Sequence, residues 1–333
     1  MTETNTPHVL VTGGAGYIGS HTTLALLEAG HAVVVLDDLS TGDKALVPDG
    51  VPFVEGDVAD AGLVEGVISE YGCRGVLHFA GSIVVPESVR DPLKYYRNNT
   101  AASRSLIESC VAAGVETFVF SSTAAVYGDA VEVPIREETA LQPTNPYGWS
   151  KLMTEQMLRD VAAATDLRYA ALRYFNVAGA DAEGRSGECA PLATHLIHVA
   201  SELVAGKRDR MQIFGDDYDT PDGTCVRDYI HVSDLAAAHV AALRHLTEHR
   251  QSLELNCGYG HGFSVREVLD VVRDLAGRDL AIESGPRRAG DVAALIADTH
   301  KIRATLDWTP RFDDLRVIVE TALNWERRRS GGH

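Results

Sequence analysis

Apolar and polar positions follow two rhythms that take turns along the first half of the chain. The runs His8–Thr12, Ala32–Leu36, Pro52–Glu55, Gly75–Phe79, Thr117–Ser121 and Arg168–Arg173 are short and largely apolar, the pattern of strands buried on both faces. Between them apolar residues recur three and four apart. That spacing predicts helices from Gly16 to about Ala29 and over Ala61–Glu70, Asn99–Ala113 and Tyr147–Thr165. Gly30 stands where a helix ending at Ala29 needs a residue that can turn left-handed. Strand–helix–strand repetition joins parallel strands through right-handed crossovers. The expected fold is therefore α/β, a doubly wound parallel sheet of Rossmann type with helices on both faces.

After Gly179 the rhythm loosens. Asp181–Glu188 is polar and contains glycine, and Gly215–Gly223 is acidic and rich in turn formers. Helical spacing returns over Pro191–Ala205, Ser233–His245 and Val265–Leu275. The expected organisation is a dinucleotide-binding domain over residues 1–179 and a smaller α/β lobe over 180–333 for the substrate, with segments of the second free to return to the first. Arg327–His333, basic and glycine-containing, is expected to fray.

Composition narrows the function. The 333 residues are 45% hydrophobic and 23% charged, enough for a substantial core. Lys plus Arg number 30 against 47 for Asp plus Glu, a formal charge of −17 that disfavours nucleic acid as a partner. An anionic ligand must then be held by a local cluster of cations or by backbone N–H groups. The five cysteines (Cys73, Cys110, Cys189, Cys225 and Cys257) are scattered and include no C-x-x-C pair, which argues for a reducing compartment. A basic leader followed by an apolar run is absent, and no apolar stretch is long enough for a bilayer. The expectation is a cytoplasmic protein with no membrane partner. No metal is expected either, since no His/Asp/Glu cluster has ligand spacing.

The strand at Val9–Val11 runs into Thr12-Gly13-Gly14-Ala15-Gly16-Tyr17-Ile18-Gly19 and then a helix. Gly13, Gly16 and Gly19 are spaced by three, and Gly14-x-Gly16-x-x-Gly19 fits the dinucleotide fingerprint. Glycine is needed because the turn is sharp and the pyrophosphate must approach the main chain, where free N–H groups at a helix start bind it. Asp37 ends the second strand, placed to accept from adenosine ribose hydroxyls and to repel a 2′-phosphate. The nearest downstream cation is Lys44. NAD is thus favoured over NADP.

Tyr147 and Lys151 stand four apart at a helix start, so both project from one face. Upstream, Ser121-Ser122-Thr123 follows an apolar strand, at the strand ends where open α/β sheets bind ligands. A phenol is a poor base at neutral pH, and a nearby ammonium favours its ionised form. Lys151 can do this while holding the nicotinamide ribose, and Thr123 can relay a proton between a substrate hydroxyl and Tyr147. Tyr-x-x-x-Lys alone recurs by chance. It gains meaning from the glycine loop and the Ser/Thr cluster together.

These three elements resemble the extended short-chain dehydrogenase/reductase superfamily. Within it, Thr12–Ser20, His78–Gly81, Ser121–Gly128, Pro146–Lys151, Arg173–Gly179, Val226–Val232 and Arg287–Asp291 are similar to the UDP-glucose 4-epimerase family, over nearly the whole chain from Val9 to Trp325. The resemblance implies that Tyr17, Ile18, Asp37, Asp57, Val58, Phe79, Ala80, Gly81, Asn98, Lys151 and Phe175 contact NAD. It implies a UDP-sugar site lined by Thr123, Asn176, His195, Leu196, Phe214, Arg227, Tyr229, Arg288, Asp291 and Leu295. The implied activity is inversion at C4 of UDP-glucose and UDP-galactose with tightly bound NAD, in a homodimer. Two arginines suit a diphosphate, and Phe214 offers an apolar face to a uracil.

Plainer readings compete at single positions. Arg227 could pair with Asp228, Phe214 could be core, and His78 reads as structural. His195 reads as helix surface and not as a metal ligand, and Asp216–Asp219 reads as a solvated loop. Ala124 and Ala125 stand where the sugar-nucleotide dehydratases carry an acidic pair, which disfavours that reaction. Ile83 replaces a lysine found beside the nicotinamide ribose in some relatives. Leu295 is intermediate between an aromatic that restricts the hexose pocket and a small residue that admits N-acetyl groups. UDP-N-acetylglucosamine and UDP-pentose epimerisation are the alternatives, with a non-catalytic NAD-binding redox sensor as the alternative from another class.

Overall fold

Val9, Leu10 and Val11 alternate across a strand, and their side chains divide between two cores. Val9 and Val11 pack on one face with Leu26, Leu235 and Leu243, and Leu10 packs on the other with Val64, Leu106 and Phe118. Both faces being apolar, the strand belongs in the middle of a sheet, and it is found there. The computed structural model describes residues 7–129, 132–190, 194–288 and 291–331. His8–Thr12 pairs in parallel with Ala32–Asp37 on one side and Gly75–His78 on the other. The seven-stranded sheet runs Leu253–Cys257, Arg168–Tyr174, Thr117–Ser121, Gly75–His78, His8–Thr12, Ala32–Asp37, Phe53–Glu55, every neighbour parallel. The chain reverses direction across the sheet between His8–Thr12 and Gly75–His78. Ligands bind at the carboxyl ends of strands flanking such a reversal.

The doubly wound fold read from the sequence is what the chain forms, with strand limits within a residue or so of those expected. The helix expected from Asn99 has its α-helical part at Ala102–Ala112, because Tyr96–Ala101 forms a π-helical turn ahead of it. The helix carrying Tyr147 spans Pro146–Ala164. Asn145 starts it, its Oδ1 accepting from the Gly148 N–H at 2.9 Å, and Pro146 needs no intrahelical donor.

Residues 232–257 return to the first half. Helix Val232–His249 packs on helix Tyr17–Glu28, and strand Leu253–Cys257 is an outer strand of the main sheet. The other second-half strands form small sheets. Val226–Arg227 lies between Phe263–Ser264 and Ala294–Leu295, Met211–Phe214 pairs with Ile282–Gly285, and Tyr229–His231 pairs with Asn176–Ala178. Helix Leu196–Val204 begins later than expected; Pro191–Ala193 lie outside the described residues.

The expected fraying at the end is corrected as far as Gly331, since helix Leu315–Gly331 continues through Arg327. Its last turns are tied down. Trp325 Nε1 donates to the Glu188 carbonyl at 2.9 Å, and Arg328 Nη1 donates to the Glu183 carbonyl at 2.6 Å. Gly332 and His333 lie outside the described residues. All five cysteines are free, and only Cys189 is not fully buried. No described helix is long and apolar enough to cross a membrane.

Candidate active site

At the reversal point the glycines form a cradle that no side chain could share. Gly13 has φ +72°, and a Cβ there would lie 2.5 Å from the Ala80 nitrogen. A Cβ on Gly19 would lie 2.2 Å from the Gly13 carbonyl oxygen. Helix Tyr17–Glu28 opens at Gly16 with no side-chain cap and no acidic residue in its first turn, leaving first-turn N–H groups to face an anion. Asp37, 7% exposed, accepts from the N–H of Ala15 at 2.9 Å and of Leu39 at 2.8 Å. Burial pushes its carboxyl up and those two donors pull it back in part. The ammonium of Lys44 sits over the Phe53 ring, 4.9 Å from its centre. The donor set fits NAD.

Further along the same strand ends stand the other residues expected to hold the dinucleotide. Asp57 Oδ1 accepts from the Ala59 N–H at 2.8 Å, with Val58 between them. Phe79 and Ala80 donate to the Thr12 carbonyl at 2.9 and 3.2 Å. A Cβ on Gly81 would come within 2.9 Å of Asn99 Oδ1 and 3.8 Å of Lys151 Nζ, so the absence of a side chain there leaves room beside the ammonium. Asn98 donates to Ser82 Oγ at 3.1 Å, and the Tyr17 hydroxyl donates to the Gly179 carbonyl at 2.7 Å. Ile18 and Phe175 line the cleft with them.

Tyr147, Lys151 and Thr123 are 7%, 3% and 8% exposed. Lys151 Nζ donates to the Ser121 carbonyl at 2.9 Å and lies 5.0 Å from the Phe120 ring centre. Burial lowers its pKa to about 8. Two opposed effects act on the Tyr147 phenol in the protein itself. Burial raises the phenol, and the group that lowers it is the Thr123 hydroxyl, through a hydrogen bond. Thr123 Oγ1 accepts from the Ala125 N–H at 3.1 Å, which leaves its own proton for the phenol oxygen.

Across the cleft lie the remaining expected residues. The Arg288 guanidinium sits 3.8 Å from the centre of the Phe214 ring, so that ring faces the cleft and is not plain core. Arg227 Nη1 donates to the Val226 and Val292 carbonyls at 2.9 Å each, and its Nη2 lies 3.4 Å from Asp291 Oδ1. Asp228 is not its partner. That carboxylate is buried and accepts from the N–H groups of Tyr259, Gly260 and Ala297. His195 precedes helix Leu196–Val204 without a side-chain capping bond, its Nδ1 3.7 Å from Glu188. Asn176, Leu196, Tyr229 and Leu295 line the same cleft. His78 is structural, bonded to Thr12 at 2.7 Å and to Ser103 at 2.8 Å. Asp217 pairs with Arg287, and no metal-binding group of three or more His, Cys, Asp or Glu occurs among the described residues.

Apart from Gly14, which packs against Val35, every residue singled out for cofactor, chemistry or substrate borders this one cleft of about 1930 Å³. A pocket for one small molecule measures roughly 300–1,000 Å³, so this cleft has room for two ligands of nucleotide size. The sequence reading missed two cleft-lining groups. Tyr174 shares a hydrogen bond with Ser121, and its place at the carboxyl end of a sheet strand was the available signal. Glu188 is buried in a segment that read as a polar loop. Burial acts to raise its carboxyl, but His195 and the Ala190 N–H leave it lowered.

A model of the NAD dependent epimerase/dehydratase family matches residues 9–258. The chain is 57% identical over 321 residues to a UDP-glucose 4-epimerase of Azospirillum brasilense, covering 96% of this chain and 92% of that one. It superposes with TM-score 0.94 and 46% identity on a UDP-glucose 4-epimerase from Brucella ovis in complex with NAD, covering 96% and 98% of the two chains. A UDP-glucose 4-epimerase from Stenotrophomonas maltophila, with bound NAD and formylated UDP-arabinopyranose, also matches. Its TM-score is 0.94 at 39% identity, over 98% and 100% of the chains.

Proposed function

Since the chain belongs to the NAD dependent epimerase/dehydratase family, we propose that it is an isomerase interconverting UDP-glucose and UDP-galactose by inversion at C4. The observation that carries this reading is one cleft joining the glycine cradle, the Tyr147–Thr123–Lys151 trio and the paired arginines. Bound NAD would supply reversible hydride acceptance at C4, which makes the overall conversion redox-neutral. The protein's task is protons and positions. Tyr147 takes the proton of the sugar 4-hydroxyl, directly or through Thr123, whose hydroxyl acts to lower the phenol. Lys151 adds positive charge on that side and holds the nicotinamide ribose. Arg227 and Arg288 grip the diphosphate, Phe214 lies against the uracil and Asp291 accepts from a ribose hydroxyl. With UDP anchored there, the 4-keto sugar turns and presents its other face.

Labour divides accordingly. Residues 1–179, joined by the returning segment 232–257, carry the cofactor, and most of 180–333 carries the UDP-sugar. A homodimer belongs to the same reading. Trp149 and Met153, one turn apart on helix Pro146–Ala164, are each 41% exposed, and neighbouring Val89 and Leu93 are 63% and 71% exposed. Such an apolar cluster on a surface marks a contact. Five free thiols fit a cytoplasmic location. Leu295, part-buried and facing the cleft, favours a hexose pocket open enough for some UDP-N-acetylhexosamine or UDP-pentose turnover. Leu295→Tyr should raise the ratio of UDP-galactose to UDP-N-acetylgalactosamine turnover several-fold, and an unchanged ratio would end that part of the reading.

The test of the whole is denaturation of the purified protein with assay of the released nucleotide, beside UDP-galactose turnover without added NAD. Released NAD with unaided formation of UDP-glucose supports the reading. Turnover that needs added NAD and accumulates NADH overturns it in favour of a net dehydrogenase.

A further inference from the structure

Behind the cleft, and outside its lining, lies a closed polar network. Ser122, Tyr127, Glu155, Arg173 and Asn256 are each at most 2% exposed, and none borders the cleft. Arg173 Nε and Nη2 donate to both oxygens of Glu155, the shortest bond being 2.7 Å. Ser122 Oγ donates to the same carboxylate. Arg173 Nη1 donates to the Tyr127 hydroxyl at 3.0 Å and to the Glu137 carbonyl at 3.3 Å. The Tyr127 hydroxyl donates to Asn256 Oδ1 at 2.6 Å, and Asn256 Nδ2 to the Ile135 carbonyl at 2.8 Å.

The placement of these residues gives the network a direction. Ser122 immediately precedes Thr123, and Tyr127 closes the short helix Ala124–Tyr127 that Thr123 caps. Glu155 is one turn beyond Lys151 and two beyond Tyr147 on helix Pro146–Ala164. The ion pair therefore joins the backbone on both sides of Thr123 to the helix carrying the other two groups. A buried ion pair is a poor device for stability alone, since apolar residues of equal volume often hold a core as well. What it adds is direction: a forked donor and a two-oxygen acceptor fix orientation and distance.

We propose that Glu155 and Arg173, with Ser122 and Tyr127, are positioning residues that hold Thr123 in register with Tyr147 for proton transfer. This rests on the reading of Tyr147, Lys151 and Thr123 as the catalytic trio. The network touches neither ligand, so its loss acts on the turnover step and spares UDP-sugar binding and NAD retention.

The experiment uses the purified protein with its bound nucleotide counted as active sites, and reads kcat, KM for UDP-galactose and the pH–rate profile. Ser122→Ala and Tyr127→Phe leave the ion pair in place. Each should lower kcat about five- to tenfold, the scale of one lost hydrogen bond in the transition state, with KM within about twofold. The rising limb of kcat should move to higher pH as the phenol loses its fixed donor. Arg173→Lys keeps the charge without the fork and should not rescue. The apolar pair Glu155→Leu with Arg173→Met should fold and lose about 100-fold in kcat, as a small misplacement does. Unchanged kcat and pH limb per bound nucleotide in that pair overturn the proposal. Should the pair fail to fold, the same unchanged values in Ser122→Ala and Tyr127→Phe overturn it. Tyr147→Phe is the control: if it too keeps full kcat, the reading of the trio fails, a result distinct from failure of the network.

Discussion

In the function proposed above, the two ends of the cleft hold anions by opposite means. At the cofactor end the main chain does it: glycines without room for a Cβ, an uncapped helix start, and a carboxylate that turns away a further phosphate, all on a seven-stranded sheet. At the substrate end long side chains do it. Arg288 is exposed over Phe214, and Arg227 is part-buried beside Asp291, on sheets of two and three strands. Small sheets are held by fewer neighbours than a wide parallel one and yield more readily. A ligand that stays is thus met by rigid backbone, and a ligand that must enter, turn and leave is met by adaptable cations. In a chain of net charge −17 both devices are local exceptions to the overall field.

The contrast breaks hardest at Gly19. Gly19→Ala drives a Cβ to within 2.2 Å of the Gly13 carbonyl, where only backbone could move. The purified variant should carry no bound NAD and show no turnover, with stability down about 1–3 kcal/mol by urea unfolding. Arg288→Met should do the converse. KM for UDP-galactose should rise about 10- to 100-fold, the loss of one charge-assisted grip, while bound NAD per chain is unchanged. Raising the salt from about 0.05 to about 0.5 M sharpens the same distinction. Screening should raise KM about two- to fivefold and leave NAD retention as it was, because exposed charges are screened and a main-chain cradle much less so.

Much of the cofactor end was legible in the sequence, because its signals are local. A β-branched run, three glycines and an acidic residue at a strand end are read within 30 residues of chain. Tyr147 and Lys151 were legible for the same reason. The substrate end was read mainly through family likeness, since Arg227, Phe214 and Arg288 come from separate strands and loops. Other features had no local signal. That Leu253–Cys257 joins the main sheet depends on a crossover, and that the last helix does not fray depends on Trp325 and Arg328 meeting a loop far upstream. Burial raises Tyr147 and lowers Lys151, an effect that a one-dimensional spacing does not contain.

The smallest effect separates the frame from the ligands. Burial lowers His21 to about 4, His78 to about 3, His231 to about 3 and His239 to about 4, all below the ordinary 6.5. These groups bind protons more readily when unfolded, so the stability they lend is whole above pH 6.5 and is lost as the pH falls toward 4. His21 ties helix Tyr17–Glu28 to the loop at Asp181, its Nε2 accepting from the Asp181 N–H at 3.1 Å. Urea midpoints measured from pH 7 to pH 4.5 should fall, and His21→Gln should flatten the slope modestly. An unaltered slope would mean that this imidazole takes up no proton on unfolding.

The return of residues 232–257 to the first sheet also sets a schedule for synthesis. Helix Val232–His249 covers the apolar side of helix Tyr17–Glu28, where Leu26 is fully buried, and of strands Thr117–Ser121 and Arg168–Tyr174. Some 200 residues separate the end of helix Tyr17–Glu28 from that cover. At about 5–20 residues per second, the nascent chain carries this apolar face bare for roughly 10–40 s. The interval is long beside the microseconds in which an exposed surface collapses on the wrong partner. The same connection that completes the cofactor sheet makes the growing chain a client for whatever shields apolar surface at the ribosome.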